Sequence, residues 1–145
     1  MTAQSSETII YEDKEYGMAY EPLSDYLENL ENPPFLYSPS TACWRGYYGT
    51  WEVKGDKLYL IKLIAFTEGW KEADIEYIFP GQREAFADWF TGEIRIPQGE
   101  LLSYIHQGYD SVYEKDIFLA FHKGILINER IEDNRNKVYP EDVEL

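Results

Sequence analysis

Two apolar runs, each folded back on itself at a short glycine-bearing turn, constrain this chain more than any other feature of its sequence. In the first, Cys43 to Val53 leads into Lys54-Gly55-Asp56-Lys57 and then into Leu58-Tyr59-Leu60-Ile61-Lys62-Leu63-Ile64. Large apolar and β-branched residues on both sides of a Gly-Asp step predict a β-hairpin. In the second, Ile117 to His122 and Ile125 to Asn128 flank Lys123-Gly124. That is the spacing of a tight hairpin with glycine at a positive φ. Two such units predict a fold dominated by antiparallel sheet.

Side chains alternate across a strand, so Trp44, Gly46, Tyr48 and Thr50 fall on one face and Arg45, Tyr47, Gly49 and Trp51 on the other. Aromatic rings on both faces predict a strand covered on both sides. Around the hairpins the pattern is mixed. Leu23, Tyr26, Leu27 and Leu30 repeat at helical spacing behind Pro22 and end at Asn32-Pro33-Pro34, predicting a short amphipathic helix over Pro22 to Glu31. Glu7 to Glu12 encloses Ile9, Ile10 and Tyr11 and reads as an edge strand, acidic at both ends. Ile75, Tyr77 and Phe79 alternate before Pro80-Gly81 and predict a short strand. Phe86 to Pro97 reads as a long strand with a bulge or close approach at Gly92, although Ala85, Phe86, Trp89 and Phe90 also suit one helical turn. The segment 100–112 carries no assignable pattern. Beyond Ile131 the polar run predicts a loosely held tail over 132–145.

The expected fold is therefore α+β: an antiparallel sheet curled into a sandwich or open barrel, with one N-terminal helix, all-β being the alternative. With 145 residues and 17% aromatic content the chain can bury a core as one domain, centred on about 42–131. An acidic segment, 1–33, precedes it.

Charge narrows the partners. The net charge is -14, half of it within Met1 to Pro33, where Lys14 is the one basic residue. Such a field repels nucleic acid and anionic membrane surfaces and favours a basic protein. The apolar stretch Leu58 to Phe66 is too short to span a bilayer, and the first residues show no cationic start or apolar run. One cysteine and no Asn-x-Ser/Thr sequon fit a reducing, cytoplasmic setting.

Catalytic signatures are sparse. A Cys-His pair would need Cys43 with His106 or His122, and Cys43 beside Trp44 reads as a buried apolar residue. A metal site on the two histidines would need Asp110, Glu114 or Asp116, and the spacing matches no ligand pattern; no metal and no cofactor are expected. Neither a phosphate-binding glycine loop nor a Gly-x-Ser-x-Gly elbow occurs. Asp88 and Glu52 neighbour Trp89 and Trp51, and Arg45 and Arg95 lie in aromatic strands. Those arginines read either as an anion clamp or as internal partners for Glu52, Asp88 or Glu93.

Trp44-Arg45-Gly46-Tyr47 with Trp51-Glu52-Val53, and then Ala87-Asp88-Trp89-Phe90-x-Gly92-x-Ile94-Arg95-Ile96-Pro97-x-Gly99, resemble a pattern carried by small bacterial proteins without an assigned activity. The resemblance covers roughly Trp44 to Asn128 and implies a bacterial origin and a compact domain.

The 13 tyrosines exceed what an interior easily satisfies, since each buried hydroxyl needs a partner. Some rings should therefore meet another molecule. The expected ligand- or partner-binding residues are Trp44, Arg45, Tyr48, Trp51, Glu52, Asp88, Trp89, Arg95 and Tyr109. The leading expectation is an acidic binding protein for a basic protein, as an immunity partner of a cationic toxin would be. The alternatives are a small-ligand binder or enzyme with an aromatic pocket using Arg45, Arg95, Glu52 and Asp88, and a homodimer whose contact is the aromatic surplus.

Overall fold

Three tight hairpins organise the molecule, one more than the sequence pattern announces. The computed structural model describes residues 5–40, 42–103, 109 and 111–135. Strands β1 (Glu7–Tyr11) and β2 (Lys14–Met18) pair antiparallel around Glu12-Asp13, both in the left-handed region at φ 51° and 64°. Strands β3 (Tyr47–Lys54) and β4 (Lys57–Thr67) turn at Gly55-Asp56, at φ 56° and 63°. Strands β8 (Val112–His122) and β9 (Ile125–Asp133) turn at Lys123-Gly124, at φ 48° and 79°. Two consecutive positive φ values give the turn whose twist matches paired strands. Only the first turn lacks glycine, which is why its hairpin is silent in the sequence.

The remaining elements fill in between. Helix α1 spans Pro22–Glu28, three residues shorter than expected, since Leu30 already lies beyond its C-cap at Asn29. Strand β5 (Lys71–Ala73) precedes the single-turn helix α2 (Ile75–Ile78), where a strand was expected. Asp74 decides this: its carboxylate accepts from the Glu76 amide and caps a turn that buries Ile75 and Ile78 on one side. The expected long strand Phe86 to Pro97 is broken, because Ala85–Phe86 (β6) ends in a turn where Phe90 N–H donates to Ala87 O. β7 (Gly92–Ser103) then begins anew at Gly92.

The sheet runs β2-β1-β3-β4-β9-β8-β7, with β5 and β6 also on β4. It is mixed, because β1 lies parallel to β3, and it is not closed into a barrel. β1 is thus an internal strand and not the edge its acidic flanks suggested; β2 stands outside it. The ends of the path approach each other where Ala19 N–H donates to Arg95 O at 2.7 Å. Ile9, Trp51, Leu58, Leu60, Ile94, Ile96 and Leu119 reach zero exposure in one cluster, with Leu23 of α1 in it. Of the two β3 faces, the one carrying Tyr47, Gly49 and Trp51 is buried, while Tyr48, Thr50 and Glu52 on the other are half-buried.

The polar stretch after Ile131 is partly structured. β9 continues to Asp133, and Asn134 is buried, donating to Tyr113 O and to Asp116 Oδ2. Residues 136–145 lie outside the described residues, as do Tyr104, His106 and Asp110.

Candidate functional site

Glu7 organises the polar interior. Parity places it on the same side of β1 as Ile9, and its side chain is fully enclosed. Arg45 Nε–H donates to Glu7 Oε2 at 2.8 Å, and Trp51 Nε1–H donates to Oε1 at 2.7 Å. Burial pushes the Glu7 carboxyl up to about 7, against Arg45 and Trp51, which favour the carboxylate. The Arg45 side chain is only 3% exposed, and its guanidinium lies 5.0 Å from the centre of the Tyr48 ring and 5.5 Å from that of Tyr47. Burial works to lower the Arg45 pKa, but Glu7 and the neighbouring groups outweigh it, so the net shift is upward.

The network runs on through several elements. Glu21, the residue before α1, has Oε2 3.9 Å from Arg45 Nη1 and accepts the Tyr109 hydroxyl at 2.6 Å. Burial, with Glu21 as acceptor, raises the Tyr109 hydroxyl above the ordinary tyrosine range. The Tyr109 carbonyl accepts from Arg95 Nη1 at 2.6 Å, Ser111 O from Nη2 at 2.7 Å, and Asp116 Oδ1 from Nε at 2.8 Å. Ser24 Oγ and Tyr47 Oη share a hydrogen bond of 2.7 Å beside it, and burial, with the Glu7 charge adding, raises the Tyr47 hydroxyl too. Arg45 Nη1 and Nη2 are buried and have no hydrogen-bond partner among the described residues, so the network leaves two guanidinium nitrogens unsatisfied.

The structure therefore joins Arg45, Trp51, Tyr109 and Arg95, but as a structural spine. Arg95 is engaged on all three nitrogens by the protein, and Arg45 pairs with Glu7; neither arginine takes Glu52, Asp88 or Glu93, the internal partners the sequence suggested. Glu52 lies on the opposite β3 face from Trp51, and Asp88 is exposed after β6. Trp89 donates its indole to Pro22 O and stacks on Phe79 at 5.6 Å, so it fastens α1. Among the described residues Glu52 and Asp88 are therefore not joined to the two arginines. Cys43 is buried, its thiol directed at Tyr47 O, while His122 is exposed at the end of β8. Among the described residues no three His, Cys, Asp or Glu side chains are grouped to hold a metal, and no helix is long and apolar enough to cross a membrane.

Several aromatic side chains are exposed. Phe35 is 56% exposed, Tyr37 37% and Trp44 45%. The segment carrying the first two is pinned to the sheet: Tyr37 N–H donates to Phe66 O, and Phe66 N–H to Gly46 O. Tyr48 meets Phe66 edge-on at 5.9 Å, and the rings of Phe35 and Tyr37 are 6.5 Å apart. Tyr77 on α2 donates to Phe35 O at 2.8 Å and also lines a surface hollow of about 490 Å³ with Leu63, Ile64, Glu72, Ala73 and Asp74. A second hollow of about 310 Å³ continues along β4 past Asp74 and Glu76 to Arg83. Glu72 and Asp74 line the first hollow, and Asp74 and Glu76 the second, where exposed Lys62 and Arg83 stand beside them.

Sequence reasoning named Trp44 and Tyr48 among its candidates and did not name Phe35, Tyr37 or Tyr77. It also missed Glu7, whose signal was available: residues 7 and 9 share a face, so an apolar-side carboxylate was implied. No protein-family model, no curated protein and no solved structure matches this chain.

Proposed function

We propose that this chain is an acidic binding protein for a basic protein partner, acting as an immunity protein acts on a cationic toxin. The observation that carries the reading is the adjacency of Phe35, whose carbonyl accepts from Tyr77, and of Tyr37 beside it to hollows lined by Glu72, Asp74 and Glu76 together with Lys62 and Arg83. Aromatic rings supply apolar area at low entropic cost, and the three carboxylates steer a cationic surface toward them. The net charge of -14 extends that steering over the whole molecule.

The small-ligand reading keeps one observation, the two buried Arg45 nitrogens that have no hydrogen-bond partner among the described residues, whereas Arg95 is spent on internal bonds and Glu52 and Asp88 are joined to neither arginine. The test is affinity capture from the native host with the wild-type chain and with a variant combining Phe35→Ser and Asp74→Asn. Raising salt from about 0.1 M to about 1 M shortens the screening length from about 10 Å to about 3 Å. The reading expects a cationic protein held at the lower salt, released at the higher, and not retained by the variant. Retention indifferent to both salt and substitution overturns it.

A further inference from the structure

The β8–β9 hairpin ends the continuous part of the sheet in an unusual way. β9 meets β4 at a single pair, Lys57 with Ile125, with Leu126 N–H donating to Asp56 O. From Ile127 to Asp133 it pairs with β8 on one side, and among the described residues no strand pairs with its other side. Two large apolar side chains stand exposed along it, Ile127 at 65% and Ile131 at 61%. Ile131 stands opposite the buried Ile117, so it extends the core face outward past the last strand. Ile127 is the extra residue of a bulge between Ala120 and Phe121.

We infer that the open edge of β9 takes an extended, basic segment of another protein as an added strand. Unpaired backbone groups along a strand supply affinity in such an addition, and alternate side chains supply the choice of partner. Here Glu129 and Ile131, opposite Leu119 and Ile117, alternate along one face and the bulged Ile127 precedes them, which calls for a basic and an apolar residue in turn, with a further apolar residue against the bulge. Glu129 already accepts the Tyr11 hydroxyl, and a carboxylate keeps acceptor capacity for a second donor. On the other face Arg130 lies 3.9 Å from the Phe118 ring centre and is tied to Glu93 and Glu132, so it presents no free cation to repel a basic strand.

A second copy of this chain is the poorer occupant. The antiparallel pairing that sets Ile127 against Ile131 also sets Glu129 against its own counterpart, and like charges directly opposite destabilise a pair. Both copies would in addition carry -14. This surface involves none of the residues proposed above for the aromatic face, so either reading can fail alone.

The experiment uses the full chain and three synthetic nine-residue peptides: alternating Ile and Lys, alternating Ile and Glu, and the Ile-Lys peptide N-methylated at alternate amides. Amide hydrogen exchange over Ile127 to Asp133 and a binding titration are read for each. The inference expects the Ile-Lys peptide alone to slow exchange along that edge. Substituting Ile127→Lys together with Ile131→Lys, both on exposed side chains, is expected to weaken binding about tenfold or more. Equal binding of the Ile-Glu peptide overturns the charge rule, and equal binding of the methylated peptide overturns strand addition. Edge amides already protected without peptide, in a chain that sediments as a dimer, overturn the choice of partner.

Discussion

The Tyr109 hydroxyl donates to Glu21 at 2.6 Å across 88 positions of chain, while the carbonyl of the same tyrosine accepts from Arg95. One residue thereby ties the start of α1 to β7, and through Arg95 and Asp116 to β8. Tyr109→Phe keeps the ring and the carbonyl bond and removes only the donor to Glu21. We expect a loss of about 1.5–3 kcal/mol in urea unfolding, with little change in the sheet, since one hydrogen bond to a carboxylate is removed without leaving a cavity. A loss near zero would mean that Arg45 and the Ser24 hydroxyl hold Glu21 without the tyrosine.

Glu7 gives the chain a pH dependence of unusual sign for a carboxylate. Its folded pKa of about 7 stands above the ordinary 4.5, so the folded state holds this proton more tightly than the unfolded chain does. The associated stability is complete below about 4.5 and is lost as pH rises to about 7. Glu7→Gln cannot titrate, so the wild-type advantage over it should shrink between pH 5 and pH 8, by up to about 3 kcal/mol. Parallel denaturant titrations at the two pH values measure it, and a constant difference would show that Glu7 is ionised throughout.

Trp51→Phe retains a buried ring and deletes the indole donor to Glu7. Leaving a buried carboxylate oxygen unsatisfied costs about 1–3 kcal/mol. The same change should move the Glu7 titration further upward, visible by carboxyl NMR. A shift downward would contradict the role assigned to the indole.

Two glycines separate backbone strain from contact. At Gly55 an added Cβ meets nothing within 4 Å, and φ is 56°; at Gly124 φ is 79° and the Cβ would come 2.5 Å from Ala87 O. Gly55→Ala should cost about 1–2 kcal/mol, the left-handed penalty alone. Gly124→Ala should cost more, because backbone on the β6–β7 turn must shift. Equal thermal shifts for the two would refute the close approach.

Much of the sheet could be read in advance where turn chemistry was written in glycine. The β3–β4 and β8–β9 hairpins follow from Gly-Asp and Lys-Gly between apolar runs. The β1–β2 hairpin turns at Glu12-Asp13, residues that rarely take positive φ, so nothing local marked it. α2 was hidden because Ile75, Tyr77 and Phe79 alternate like a strand, while the capping carboxylate of Asp74 set the backbone otherwise. The site was legible by residue type but not by role: Arg45, Arg95, Trp51 and Tyr109 do sit together, yet as supports. Their partners Glu7, Glu21 and Asp116 lie 21 to 88 positions away, and only the fold brings them into range. Glu52 and Asp88 show that adjacency to a tryptophan in sequence says little about sharing its surroundings.

The parallel pairing of β1 with β3 carries an implication for how the molecule is assembled in time. Every other long pairing follows a turn or a modest loop, whereas Ile9 meets Trp51 only after some forty residues of chain have been closed into a ring, each doubling of such a ring adding about 0.6 kcal/mol of entropy cost. On a ribosome the first hairpin emerges well before the strand that receives it. Glu7 then waits in water as an ordinary carboxylate, and it becomes a buried one only when Trp51 and Arg45 arrive to seat it.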